Sequence, residues 1–152
     1  MITYTANVVK NIPDSSSRAA YFSLITAADI LGGEFARLFR AHGITATVFN
    51  AMRILAQGPE EGQRIGEIGD QLIQRVPDIT RLIDRMERDG YVRRQRDSQD
   101  RRAVTIKLTP AGKRKCEGLY PAVTKAHRSQ LKHMSTQELV QLTKLLQKAV
   151  AG

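Results

Sequence analysis

The run from Val76 to Gly112, VPDITRLIDRMERDGYVRRQRDSQDRRAVTIKLTPAG, constrains the fold more than any other part of the chain. Ile79, Leu82, Ile83 and Met86 recur at three- and four-residue steps, which predicts a short amphipathic helix from Pro77 to Asp89. Pro77 suits the first helical turn, where its missing N–H costs nothing, and Gly90 stops the helix. Tyr91 to Arg96 and Arg102 to Leu108 then alternate with a two-residue period. Val104, Ile106 and Leu108 fall on one face of the second run, Thr105 and Lys107 on the other. Asp97, Ser98 and Asp100 supply a turn-prone tip. A helix leading straight into an arginine-tipped hairpin is what the fold has to accommodate.

Helices are predicted on both sides of this unit. After an extended arm that ends at Pro13, Ser15, Ser16 and Ser17 are candidate N-caps for a helix from Arg18 to about His42. Phe22, Ile25, Ala28, Leu31, Phe35, Leu38 and Phe39 form its apolar stripe, and Gly32-Gly33 marks a bend or a close helix approach. Thr45 or Thr47 caps a second helix, with Val48, Met52 and Leu55 on one face, that Gly58-Pro59 closes. Glu60-Glu61-Gly62 is expected to be a loop, and a short helix runs from Ile65 to about Leu72. Thr109-Pro110 caps a long basic helix that Pro121 should kink or interrupt. The last helix opens on the capping box Ser135-Thr136-Gln137-Glu138 and carries Leu139, Leu142, Leu145, Leu146 and Val150 as its stripe.

The chain holds 24 Lys and Arg against 15 Asp and Glu, a net charge of +9 in 152 residues, which favours a polyanionic partner. Residues 75–112 carry ten basic and six acidic groups, and residues 113–152 eight and two, so the excess does not lie in a terminal tail. Cys116 is the lone cysteine and cannot close an intramolecular disulfide. His42, His127 and His133 lack zinc-ligand spacing, and no cofactor is expected. No nucleophile–base pair, paired acidic cluster or glycine-rich phosphate loop appears, which argues against an enzyme. Without a signal pattern or a spanning apolar run, the chain is expected to be cytoplasmic, with no membrane partner.

Two short helices, a tight turn between them and a hairpin after them make a winged helix-turn-helix. The second helix of such a unit enters the DNA major groove with its N-terminal end toward the base edges. Arg75 and Arg81 are candidates to take guanine O6 and N7, and Asp78 to accept from cytosine N4. Pro77, Thr80 and Arg85 complete the helical part of the candidate DNA site. Arg101 and Arg102 at the hairpin tip have the size and charge for a narrow minor groove, with Asp100 beside them to fix an arginine's direction. Arg94, Arg96 and Lys107 are expected on phosphates.

In these residues the chain resembles the MarR family of bacterial transcription regulators. The match is carried by Ile79-Thr80-Arg81-Leu82-Ile83-Asp84-Arg85-Met86-Glu87 and Gly90-Tyr91-Val92-Arg93-Arg94. It continues through Asp100-Arg101-Arg102-Ala103-Val104 to Leu108-Thr109-Pro110-Ala111-Gly112. The chain departs from the family pattern at Asp78, where small hydroxyl residues are frequent, and at Gly69, where Ala is usual; Gly66 adds a second glycine to the same helix. It also has no cysteine in the first helix, where the peroxide-sensing branch carries one.

The resemblance implies a homodimer with intertwined terminal helices, a palindromic double-stranded DNA operator, and repression relieved by a small aromatic or phenolic acid. The expected fold is mainly α with a small β-wing: one domain over residues 1–152, with residues 44–112 as the winged helix-turn-helix lobe. Residues 14–43 and 113–152 are then the dimerisation helices. The alternative is an architectural DNA-binding protein with no ligand and little sequence preference, which shares the same basic surface.

Overall fold

The structure, a computed structural model, describes residues 16–96 and 104–151. The order is α1 (Ser16–Ala41), α2 (Ala46–Gln57), β1 (Gln63–Arg64), α3 (Ile65–Gln71), α4 (Ile79–Arg88), β2 (Val92–Arg96), β3 (Val104–Leu108), α5 (Pro110–Gln130) and α6 (Thr136–Val150). The molecule is mostly helical, with an antiparallel sheet ordered β1-β3-β2.

Local chemistry sets most boundaries. Thr45 accepts from the Val48 N–H at 3.2 Å and opens α2. Thr109 does the same for Gly112 at 3.0 Å and opens α5, with Pro110 in the first turn. The Ser135 backbone N–H and hydroxyl both donate to Glu138, holding that carboxyl below the usual range, and α6 begins there. Gly43 and Gly90, at φ 73° and 77°, end α1 and α4 in Schellman turns. In these the N–H groups of Ile44 and Tyr91 reach back to Phe39 and Met86.

The core gathers around α2. Val48, Phe49, Ala51, Met52, Ile54 and Leu55 are all buried, on more of its circumference than a single stripe. Ile68 of α3, Ile83 and Met86 of α4, Val92 and Ile106 of the sheet, and Cys116 and Leu119 of α5 close around it. Phe49 stacks on Phe39 at 4.8 Å and meets Tyr120 edge-on at 5.9 Å, so α2 is clamped between α1 and α5.

The structure corrects or extends the sequence reading at five places. The helix predicted from Pro77 begins at Ile79, because the Asp78 carboxylate takes the N-cap and leaves Pro77 outside it. Pro121 lies inside an unbroken α5; it is exposed, so the Glu117 carbonyl that it leaves without a helical N–H can be hydrated. Gly32-Gly33 sits in an unbroken α1; among the described residues nothing lies within 4 Å of a Cβ added at Gly32, and at Gly33 the Arg37 side chain lies 3.9 Å away. Glu60-Glu61-Gly62 is a loop, as expected, and it runs into a third strand, β1, paired with β3. Thr105 is buried and Val104 exposed, because the Thr105 hydroxyl donates to the Glu61 carbonyl as β1 covers that side.

Gly66 and Gly69 have open space or ordinary contact where a Cβ would go: nothing within 4 Å at Gly66, and Ile79 Cγ1 at 3.7 Å from Gly69. Each replacement by Ala should therefore stabilise α3 by about 1 kcal/mol through helix propensity alone. Urea midpoints of Gly66→Ala and Gly69→Ala check this, and a lower midpoint in either would contradict it.

Candidate nucleic-acid interface

α4 is divided cleanly into two faces. Leu82, Ile83 and Met86 are buried, while Thr80, Arg81, Asp84, Arg85 and Arg88 are exposed. The Arg81 side chain is 88% exposed. Arg75 and Pro77 are exposed on the approach to the helix. The structure thus brings Arg75, Pro77, Asp78, Thr80 and Arg81 together at the N-terminal end of α4, where unpaired N–H groups and the helix dipole favour an anion.

Asp78 has a structural duty at this end. Its Oδ1 accepts from the Arg81 N–H at 3.0 Å, and its Oδ2 lies 3.5 Å from Arg81 Nε. The carboxylate caps α4 and draws the Arg81 guanidinium alongside. The pair is largely exposed, so it directs the side chain more than it stabilises the fold.

Arg94 also has a structural duty. Its guanidinium pairs with Asp84 and Glu87 of α4, and its backbone N–H donates to Glu87 at 3.0 Å. The hydrogen bond to Asp84 first, and those to Glu87, hold its pKa above the already high arginine value. With its charge balanced by two carboxylates, Arg94 fastens the wing strand to α4.

Arg96 is exposed at the end of β2, on the side leading to the tip. Lys107 is half-buried and stands directly opposite Arg93 in the β2–β3 register. Two cations facing each other across strands repel, and an anion between them would relieve the repulsion. Arg93 was not among the candidates; only the strand register reveals its position beside Lys107. Asp100, Arg101 and Arg102 lie outside the described residues.

The base of the wing is tied to both neighbouring helices. Thr109 donates its N–H to the Tyr91 carbonyl at 3.0 Å and its hydroxyl to the Gly90 carbonyl at 2.6 Å. The end of α4, the start of β2 and the start of α5 therefore share one hydrogen-bonded junction. Cys116 lies within the core at 0% exposure, and burial pushes its thiol up, which keeps it protonated and unreactive. Among the described residues no His, Cys, Asp and Glu cluster could hold a metal, and no helix is long and apolar enough to cross a membrane.

Residues 44–104 match the model of the MarR family. The chain is 32% identical over 111 residues to the uncharacterized HTH-type transcriptional regulator YkoM of Bacillus subtilis (strain 168), covering 72% of this chain and 70% of that protein. It is 26% identical over 129 residues to the homoprotocatechuate degradative operon repressor of Escherichia coli, covering 85% of this chain and 86% of that one. Among solved structures, the MarR transcription factor from Planctomyces limnophilus matches with a TM-score of 0.68 and 34% identity, over 88% of this chain and 97% of that chain.

Proposed function

Because the chain belongs to the MarR family of DNA-binding transcriptional regulators, we propose that it is a homodimeric repressor that occupies a palindromic operator and leaves it on binding a small aromatic acid. The observation that carries this reading is the two-faced α4: a buried face fixed in the core, and an exposed face that presents Arg81, Arg85 and Arg88. Arg81 and Arg75 read base edges in the major groove, with Asp78 aiming Arg81. Arg93, Arg96 and Lys107 meet phosphates, and Arg101 and Arg102 enter the minor groove.

Dimerisation is supported by apolar surface that no other described residue covers. Tyr21, Leu24 and Ile25 of α1 are 60%, 41% and 51% exposed, although they lie on the same stripe as buried Phe39. α6 buries no residue and exposes Val140, Leu145 and Val150. A two-fold dimer would set two α4 helices about one turn of DNA apart, and a bound dimer would exclude polymerase from the promoter.

The relative from Escherichia coli is named as a repressor of a degradative operon for an aromatic acid, which supports both repression and that ligand class. An open groove along α5 offers fitting chemistry, with Tyr120 and Pro121 beside Lys125 and Arg128. Effector binding would change the spacing of the two α4 helices.

Fluorescence anisotropy against DNA upstream of the protein's own gene, with a scrambled duplex as control and at two salt concentrations, tests the proposal. Preference for the specific duplex by about a thousandfold is the expected result, and salicylate should release it. Equal, steeply salt-dependent binding to both duplexes would favour the architectural alternative. Arg81→Ala should weaken the specific duplex by about 1–3 kcal/mol and the scrambled one far less. Equal losses on the two would remove Arg81 from base reading.

A further inference from the structure

We propose that Gln63 is a positioning residue for DNA recognition: its buried amide is a strut that fixes the turn before α4 to the end of α2. The inference rests on α4 being the DNA-reading helix. Gln63 is 5% exposed, an unusual place for an amide in a two-residue strand. Its Nε2 donates to the Ile54 carbonyl near the end of α2 at 3.2 Å, and its Oε1 accepts from Gln71 Nε2 at 2.6 Å. Gln71 also donates to the Glu67 carbonyl at 2.9 Å, which holds its side chain along α3.

A second observation shows that space is kept for this amide. A Cβ added at Gly58, just past α2, would collide with Nε2 of Gln63. The loop leaving α2 thus passes over the side chain at the one residue type that leaves room.

The placement gives the strut its role. Gln71 is the last residue of α3, and the chain from there to the Asp78 cap is anchored by buried Leu72 and half-buried Val76, while Ile73 is 81% exposed and Arg75 lies in solvent. The amide donates to α2 from Nε2 and accepts from α3 at Oε1, two separate atoms at the end of one side chain. A thioether of similar length would fill the space without tying either end, and a carboxylate would oppose an anion to the Ile54 carbonyl. Since Phe49 clamps α2 against α1 and α5, a displacement of α2 passes through Gln63 to the turn that aims α4.

The test uses the full chain with Gln71→Ala, Gln63→Met and the double variant. Amide hydrogen exchange of the free protein reads residues 72–78. Anisotropy compares a duplex that the wild-type protein enriches from a random pool with a scrambled duplex. Gln71 is exposed, but Gln71→Ala leaves the buried Gln63 Oε1 without its donor, so the melting temperature should fall by a few degrees at most. The substitution should quicken exchange at residues 72–78 and weaken the selected duplex by about fivefold, but not the scrambled one. The double variant should lose no more than Gln63→Met, because both break one strut. Unchanged exchange at residues 72–78 in both single variants would overturn the proposal. So would affinities for both duplexes falling in parallel with the melting temperature, which would make Gln63 a packing residue only. Failure of the wild type to enrich any duplex would sink the regulator reading instead, and the exchange data would still decide the strut.

Discussion

Gly112→Ala should destabilise the protein by about 3 kcal/mol or more, through overpacking together with loss of a helix cap. Gly112 does not have positive φ, so the cause is space rather than backbone freedom. A Cβ there would overlap the Tyr91 carbonyl oxygen, lie 2.9 Å from its carbonyl carbon and 3.0 Å from Leu108 Cδ2. The Tyr91 carbonyl cannot swing aside freely, because it accepts the Thr109 N–H at 3.0 Å. Moving α5 outward would break the bond from the Gly112 N–H to the Thr109 hydroxyl, which is the cap of that helix. Either relaxation loosens the junction where the recognition helix, the wing and α5 meet. A fall in melting temperature of roughly ten degrees is expected for a chain of this size. Gly118 on the same helix is the control: nothing lies within 4 Å of a Cβ there, so Gly118→Ala should be neutral or stabilising. Equal midpoints for Gly112→Ala and wild type would show that the close approach is not needed.

The same junction shows what the chain makes legible. Caps and stops are local, so Thr45, Thr109, Ser135, Gly43 and Gly90 could be read from their neighbours alone. The buried face of α4 was readable from its spacing, and with it the exposed arginines. What could not be read depends on residues distant in the chain. β1 is two residues long and exists only because Gln63 meets Ile106. Alternation left open which face of β3 is buried; Thr105 is buried, with its hydroxyl donating to the Glu61 carbonyl. Arg94 looked like a free cation, yet its carboxylates lie seven and ten residues back across the Gly90 turn. In sequence Asp78 reads only as a contact to a base; its place as the cap of α4 comes from the Arg81 N–H three residues on in the same turn. The run Leu108–Gly112 has a physical role in this chain: Thr109 caps α5 and Gly112 admits the Tyr91 carbonyl.

Truncation after Met134 should yield a monomer and lower affinity for a full palindrome by at least about a hundredfold. α6 contributes nothing buried to its own protomer, so its removal should leave the winged lobe folded. What it removes is exposed apolar surface: Val140, Leu145, Leu146 and Val150 at 50%, 58%, 39% and 82% exposure. A helix of this kind in water is marginal without a partner for its stripe, and the N-terminal half of α1 offers another uncovered apolar surface. A monomer keeps one α4 and one wing, and hence one half-site. The second half-site then binds as a separate event without the high effective concentration that a dimer supplies, and most of the specific affinity goes with it. Light scattering reads the mass, and anisotropy reads the palindrome against an isolated half-site. The full chain should prefer the palindrome strongly, and the truncated chain should bind the two alike. A dimer persisting after truncation would place the seam on α1 and α5 alone, and undiminished affinity in a monomer would show that a single lobe suffices to hold DNA.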